Sequence, residues 1–187
     1  MPLPVAHGMA GISIYFWGHE IRFFKSRFIT VLFFAFVACL PDADFLPGWL
    51  QGNPNLYHPI WSHSLGAALV VAGLFAWLFA RRNGHFKQYF VIFFSLYYSH
   101  IILDFFNNDT REPFGIMAFW PFNSTYFLSP WPLFDSVQKS SDSNTFIASV
   151  LSGPNFIAAT KEFFIMLPFV LYPIFLKRKN ANGSGLR

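Results

Sequence analysis

Two short patterns carry most of the side chains in this chain that can do chemistry: Asp42-Ala43-Asp44 and His100-Ile101-Ile102-Leu103-Asp104, accompanied by His7, His58 and His63. Only 12% of the 187 residues are charged and 54% are hydrophobic. Imidazoles and carboxylates in such surroundings are costly unless they are paired or bound to a metal. Imidazole nitrogen and carboxylate oxygen together suit zinc first, with manganese or iron as alternatives, and an open position on such a metal activates water at neutral pH. The expected ligand set is therefore His7, Asp42, Asp44, His58, His63, His100 and Asp104. Asp42, Asp44 and Asp104 are also the candidate catalytic carboxylates, since whichever is not a ligand can take a proton from the attacking water. The i, i+4 spacing of His100 and Asp104 places both on one helix face. A purely structural pair would have the same spacing, but it would not need five further polar side chains.

Other schemes have less support. Ser64 adjoins His63, but neighbours on a helix do not face one another and no glycine-framed elbow surrounds the serine. The chain has no phosphate-cradling glycine-rich loop, and His19 and His85 stand beside basic residues, as solvated histidines do.

The elements that must hold these residues read as membrane helices. Phenylalanine alone occurs 27 times, and four apolar segments, roughly residues 28–40, 64–80, 88–106 and 163–176, approach the ~20 residues that match a bilayer core. The expectation is an all-α, polytopic membrane bundle of four strong spans, with a short N-terminal helix over about residues 8–19 and a long, membrane-hugging outer loop. It forms a single domain over residues 1–179, followed by a polar tail over 180–187. No basic region precedes an apolar stretch at the N-terminus, so a removable signal peptide is not expected.

The net charge of +4 does not indicate nucleic acid, because the basic residues gather at segment ends: Arg22, Lys25 and Arg27; Arg81, Arg82 and Lys87; Lys177, Arg178 and Lys179. That is the pattern of cytoplasmic edges, and it puts residues 42–62 and 108–161 outside, with the His/Asp set at the outer face. Trp49, Trp61, Trp120 and Trp131 fall in those outer segments, and the proline-broken apolar stretch over residues 114–134 reads as a cover over the site. Cys39 is the only cysteine and lies in an apolar run, which suits packing better than nucleophilic work.

Four blocks of this sequence, taken together, resemble the YdjM-like inner-membrane proteins, a family described by similarity as metal-dependent hydrolases. They are Pro2-Leu3-Pro4-Val5-Ala6-His7-Gly8-Met9-Ala10-Gly11; Pro41-Asp42-Ala43-Asp44-Phe45-Leu46-Pro47-Gly48; His58 with Ser62-His63-Ser64-Leu65; and His100 through Asp104 with Trp120-Pro121-Phe122 downstream. The likeness covers approximately residues 2–136. It departs at Pro59 and Ile60, where the family pattern has a His or Arg and a Gly. The family is in turn distantly similar to zinc-dependent phospholipase C and P1 nuclease, whose His-x-x-x-Asp helix His100 and Asp104 match. The resemblance implies hydrolysis of a phosphoester, with a phospholipid or another lipid-linked molecule as substrate, in the bacterial inner membrane. The rival class is non-catalytic, either a metal-stabilised membrane scaffold or a transporter. A transporter should carry ionisable groups through the depth of its spans, and the inner halves of these have none.

Overall fold

The computed structural model describes the backbone of residues 1–18, 21–81 and 84–183, and side chains as far as residue 179. His19, Arg82 and the side chains of the polar tail lie outside the described residues. The described chain is all-helical, with seven α-helices: α1 (Pro4–Trp17), α2 (Arg27–Ala38), α3 (Phe45–Leu50), α4 (Leu65–Ala80), α5 (Phe86–Phe105), α6 (Ser143–Val150) and α7 (Gly153–Gly183). Short 3-10 turns at Leu40–Asp44, Pro54–Leu56 and Trp61–His63 join the helices between α2 and α4.

Helix lengths overturn the expectation of four strong spans. Among the described residues only the Gly153–Lys179 stretch of α7 is long and apolar enough to cross a bilayer. A second candidate arises only if α2 and the segment Leu40–Leu50, which meet at 58°, count as one broken span. The apolar runs over residues 28–40 and 64–80 do become continuous helices, but short ones. α2 has 12 residues and α4 has 16, or about 18 and 24 Å at helical rise, against a hydrocarbon core of about 30 Å. Pro41 has no amide N–H with which to continue the α-helical ladder, and the chain passes from α2 into the 3-10 turn at Leu40–Asp44. At the second run, Ser64 is extended and caps α4 by accepting from the Ala67 amide at 3.1 Å. α5 has the length, 20 residues, but Lys87, Gln88, His100 and its tyrosines lower its hydropathy. The apolar surface is nonetheless turned outward: Phe28 and Phe36 on α2, Val70 and Leu74 on α4, and Phe164 and Phe175 on α7 are all exposed.

α5 packs against α1, α2 and α4, while α1 lies between α2 and α7. Small residues set these distances. Ala68, Ala72 and Ala76 form a fully buried stripe on α4. At Gly11 an added Cβ would collide with the Phe34 carbonyl oxygen, so α1 and α2 touch backbone to backbone. Near the C-terminal ends of α2 and α5, where the polar residues gather, the segment after α5 folds back through bridges between Asn107 and Phe134 and between Ile116 and Phe127. It reaches α4 through bonds from the Leu65 and Gly66 amides to the carbonyls of Ala118 and Trp120. This proline-broken stretch therefore covers the flank of α4 and α5.

Candidate metal centre

The 3-10 geometry at Leu40–Asp44 divides the labour of its two aspartates. At about three residues per turn, side chains two positions apart point some 120° apart. Asp42 faces the histidines of α5 and of the Trp61–His63 turn, while Asp44 faces the loop behind that turn. α5 contributes His100 and Asp104 from one buried face. Tyr97, one turn earlier, donates to the Ser62 carbonyl at 2.9 Å and so ties the His63 turn to α5.

Two imidazoles are locked with Nε2 inward. His100 Nδ1 lies 2.9 Å from the Ala38 carbonyl oxygen, which can only accept, so Nδ1 carries a proton and in the neutral ring Nε2 presents its lone pair. His63 Nδ1 faces the Asp44 carboxylate at 3.3 Å. Asp44 also accepts from the Ser62 hydroxyl at 2.5 Å and pairs with His58 Nδ1 at 3.0 Å. A carboxylate behind a histidine is the usual way to fix the ring and tautomer of a metal ligand.

The inward atoms are His63 Nε2, His100 Nε2, Asp42 Oδ1 and Asp104 Oδ2. His63 Nε2 lies 3.2 Å from His100 Nε2, 3.2 Å from Asp104 Oδ2 and 3.5 Å from Asp42 Oδ1. His100 Nε2 lies 3.4 Å from each of the same two oxygens. Charge-assisted bonds between imidazole and carboxylate would be about 2.7–2.9 Å. Donor atoms about 2.0–2.1 Å from one tetrahedral zinc stand about 3.3–3.4 Å from one another. The observed separations match the second pattern. Both oxygens of Asp42 and of Asp104 are buried and make no hydrogen bond in the described structure, which fits a cation as their partner.

His7 joins from α1. Its ring stacks on His100 at 3.6 Å between centroids, its Nε2 is 3.4 Å from Asp104 Oδ1, and neither ring nitrogen makes a hydrogen bond. His7, Asp42 and His100, then Asp42, His58 and His63, and then His63, His100 and Asp104 each place one donor atom within 4.8 Å of the others. All seven expected residues thus meet in one cluster, though Asp44 and His58 stand behind His63 rather than among the inward atoms. His85 is exposed at the start of α5, about 22 Å of helix from His100. Ser64 is a helix cap.

Burial pushes the His58 imidazole down to about 3, aided by repulsion from Lys139 and opposed by Asp44. For His63, burial also works against the charged form, but the facing carboxylates of Asp104, Asp42 and Asp44 outweigh it and hold the imidazole well above its ordinary value.

Sequence reasoning missed three supporting residues. Ser62 bridges Asp44 and His63 Nδ1. Glu162 of α7 is buried and accepts from the amides of Leu3 at 2.6 Å and Ala6 at 3.1 Å, capping α1 one residue before His7. Its signal was present, since a carboxylate beside an apolar helical run calls for a partner. Lys139, half-buried, places its ammonium 4.9 Å from the ring centre of Phe45, which stacks on His58 at 4.1 Å.

With this geometry in hand, comparison with protein families decides the affiliation. The family model described as YdjM inner membrane protein matches residues 1–180. The chain belongs to the YdjM inner membrane protein family. That affiliation places it in the inner membrane, in keeping with the outward apolar surface of α2, α4 and α7. No curated protein and no solved structure matches this YdjM family member, so the likeness to phospholipase C and P1 nuclease gains no support from these comparisons.

Proposed function

We propose that this YdjM family protein is a metal-dependent hydrolase acting on a phosphoester, most directly a phospholipid or lipid-linked molecule, at the outer face of the inner membrane. One observation carries the reading: the cluster holds more donors than a closed structural site uses. Four inward atoms from His63, His100, Asp42 and Asp104 would suffice for one tetrahedral zinc. Yet His7 stands beside the other oxygen of Asp104, with both of its ring nitrogens unbonded.

His63 and His100 would hold the metal through Nε2 and Asp42 and Asp104 through carboxylate oxygens. When bound, a divalent metal supplies Lewis acidity toward the phosphoryl oxygen and lowers the pKa of water. The side chains do the rest. Asp44 and the Ala38 carbonyl keep His63 and His100 in the required tautomers. Although Asp42 would bind through Oδ1, its Oδ2 is held by no described donor, so that second oxygen, rather than a carboxylate outside the ligand set, would take the proton of the attacking water as the water's oxygen bonds to phosphorus. The bond from phosphorus to the leaving alcohol breaks, and the same carboxyl returns the proton to that alcohol.

The outer-face assignment rests on α7 alone. Lys177, Arg178 and Lys179 support a cytoplasmic position for one end. Glu162, about 22 Å of helix away, belongs to the other end and holds the start of α1 beside His7.

The full chain, purified in detergent and supplied with zinc or manganese, should hydrolyse members of a phospholipid and phosphoester panel, and His63→Ala or His100→Ala should remove metal and turnover together. The second reading, a metal-stabilised scaffold, draws on the complete burial of His63, His100 and the Asp42 and Asp104 oxygens. Stoichiometric metal with every coordination position filled by side chains, and no turnover across the panel, would establish that reading instead.

A further inference from the structure

A polar cavity of about 180 Å³ adjoins the cluster at His58 and Asn55 and extends to Arg111 and Lys139. A second hollow of about 370 Å³ shares Thr110, Arg111, Ser136 and Lys139 with the first and continues past Ser140 to Ser149. Together they make one cleft that leads away from the metal ligands. Most of its residues come from the segment after α5 and the segment before α6, and none of the inward donors His63, His100, Asp42 and Asp104 lines it.

Lys139 is the cation at the junction. Among the described residues its ammonium pairs with no carboxylate, and its contact is the face of Phe45, 4.9 Å to the ring centre. Phe45 in turn lies against His58, so Lys139 stands on the cluster's open flank. Asp109 and Glu112 also line the inner cavity. Asp109 is committed to its own turn, accepting from the amides of Arg111 at 3.3 Å and Gly115 at 3.0 Å, while Glu112 is exposed. Hydroxyls of Thr110 and Ser136, 2.8 Å apart, supply neutral donors on the same wall.

We propose that Lys139, with Arg111 and the Thr110 and Ser136 hydroxyls, forms an anion subsite that binds the phosphate of the substrate beside the metal centre. A half-buried ammonium without a carboxylate partner, backed by a ring face and flanked by hydroxyls, suits the oxygens of a phosphate ester. The inner cavity is smaller than the ~300–1,000 Å³ of sites that engulf a whole drug-sized ligand, so it admits a phosphate headgroup and leaves acyl chains outside. The same chemistry serves the headgroup of a lipid or a free phosphate ester. This proposal rests on the hydrolase reading for its substrate.

The test uses the full chain in detergent, loaded with zinc, and titrates inorganic phosphate by calorimetry. Lys139→Gln should weaken phosphate on the order of tenfold, Lys139→Arg should keep most of the affinity, and zinc content should be unchanged in both. Turnover then separates the sources. If the ligand is a lipid headgroup, Lys139→Gln raises KM more than it lowers kcat on nanodiscs containing phosphatidylglycerol; if it is a soluble ester, the same split is seen only with 4-nitrophenyl phosphate. Equal phosphate affinity in the wild type and Lys139→Gln, or no phosphate binding by the zinc-loaded wild type, would overturn the subsite. Lysine-dependent phosphate binding without turnover of any ester would leave the subsite standing and remove the hydrolase. Turnover with KM indifferent to Lys139 would do the reverse.

Discussion

At the residue scale, a carboxylate that is not an inward donor still controls one that is. Asp44 holds His63 through Nδ1 and is itself held by Ser62 and His58. Asp44→Asn should therefore lower zinc affinity about 10- to 100-fold, the usual effect of losing such a partner, while His85→Ala leaves it unchanged. Competition with a chromophoric chelator measures both. His63 also sets a pH dependence. Its folded-state value is raised because three carboxylates face it, so without metal it carries a proton through neutral pH. Zinc must expel that proton, so affinity should rise with pH across the neutral range, by roughly tenfold per unit for one displaced proton. Calorimetry in buffers of different ionisation heat would count the protons released; a count near zero would mean that His63 is not a ligand. These residues were legible in the sequence because His and Asp are rare in so apolar a chain and carry their chemistry with them. The division between inward donors and residues behind them was not legible, since it depends on the 3-10 turn that separates Asp42 from Asp44.

At the element scale, α1 depends on α7 for its N-terminal cap, because its own N-cap residue, Leu3, offers no side-chain acceptor. Replacing Glu162 by Leu leaves two amides of the first turn without their buried partner. The expected cost is roughly 2–6 kcal/mol, at 1–3 kcal/mol per orphaned donor, read as a lower denaturant midpoint in detergent. A change under about 0.5 kcal/mol, within the scatter of ordinary surface substitutions, would show that Glu162 does not secure α1. Element types and the approximate ends of α2, α4 and α5 were readable from apolar runs, but the start of α7 at Gly153 and the short helices α3 and α6 were not. Pro41 follows the first apolar run and Ser64 opens the second, so α2 and α4 stay shorter than a bilayer core, while polar side chains lower the hydropathy of α5; this is why four expected spans become one clear span. Lys139 escaped notice for a similar reason: nothing around it in sequence is periodic or motif-like, and only the packing of Phe45 on His58 brings it to the centre.

At the scale of the whole molecule, membership of the YdjM inner membrane protein family and the outward apolar surface agree on the solvent of this fold. The charge at the C-terminal end of α7 supports the proposed direction, with the cluster outside. In a Cys39→Ala background, a cysteine at Ser141, which lies on the cluster's side of the molecule, should react with a membrane-impermeant reagent in intact cells. Labelling only after the membrane is opened would put the centre on the cytoplasmic face and remove the outer-leaflet substrate from the account. The central claim, that His63, His100, Asp42 and Asp104 hold a metal, is open to direct measurement. Elemental analysis of protein purified without chelators and then equilibrated with zinc should find at least one tightly held ion per chain, lost in the His63→Ala, His100→Ala double variant. A folded wild-type protein that retains no zinc, manganese or iron, or a double variant that retains as much as the wild type, would contradict it.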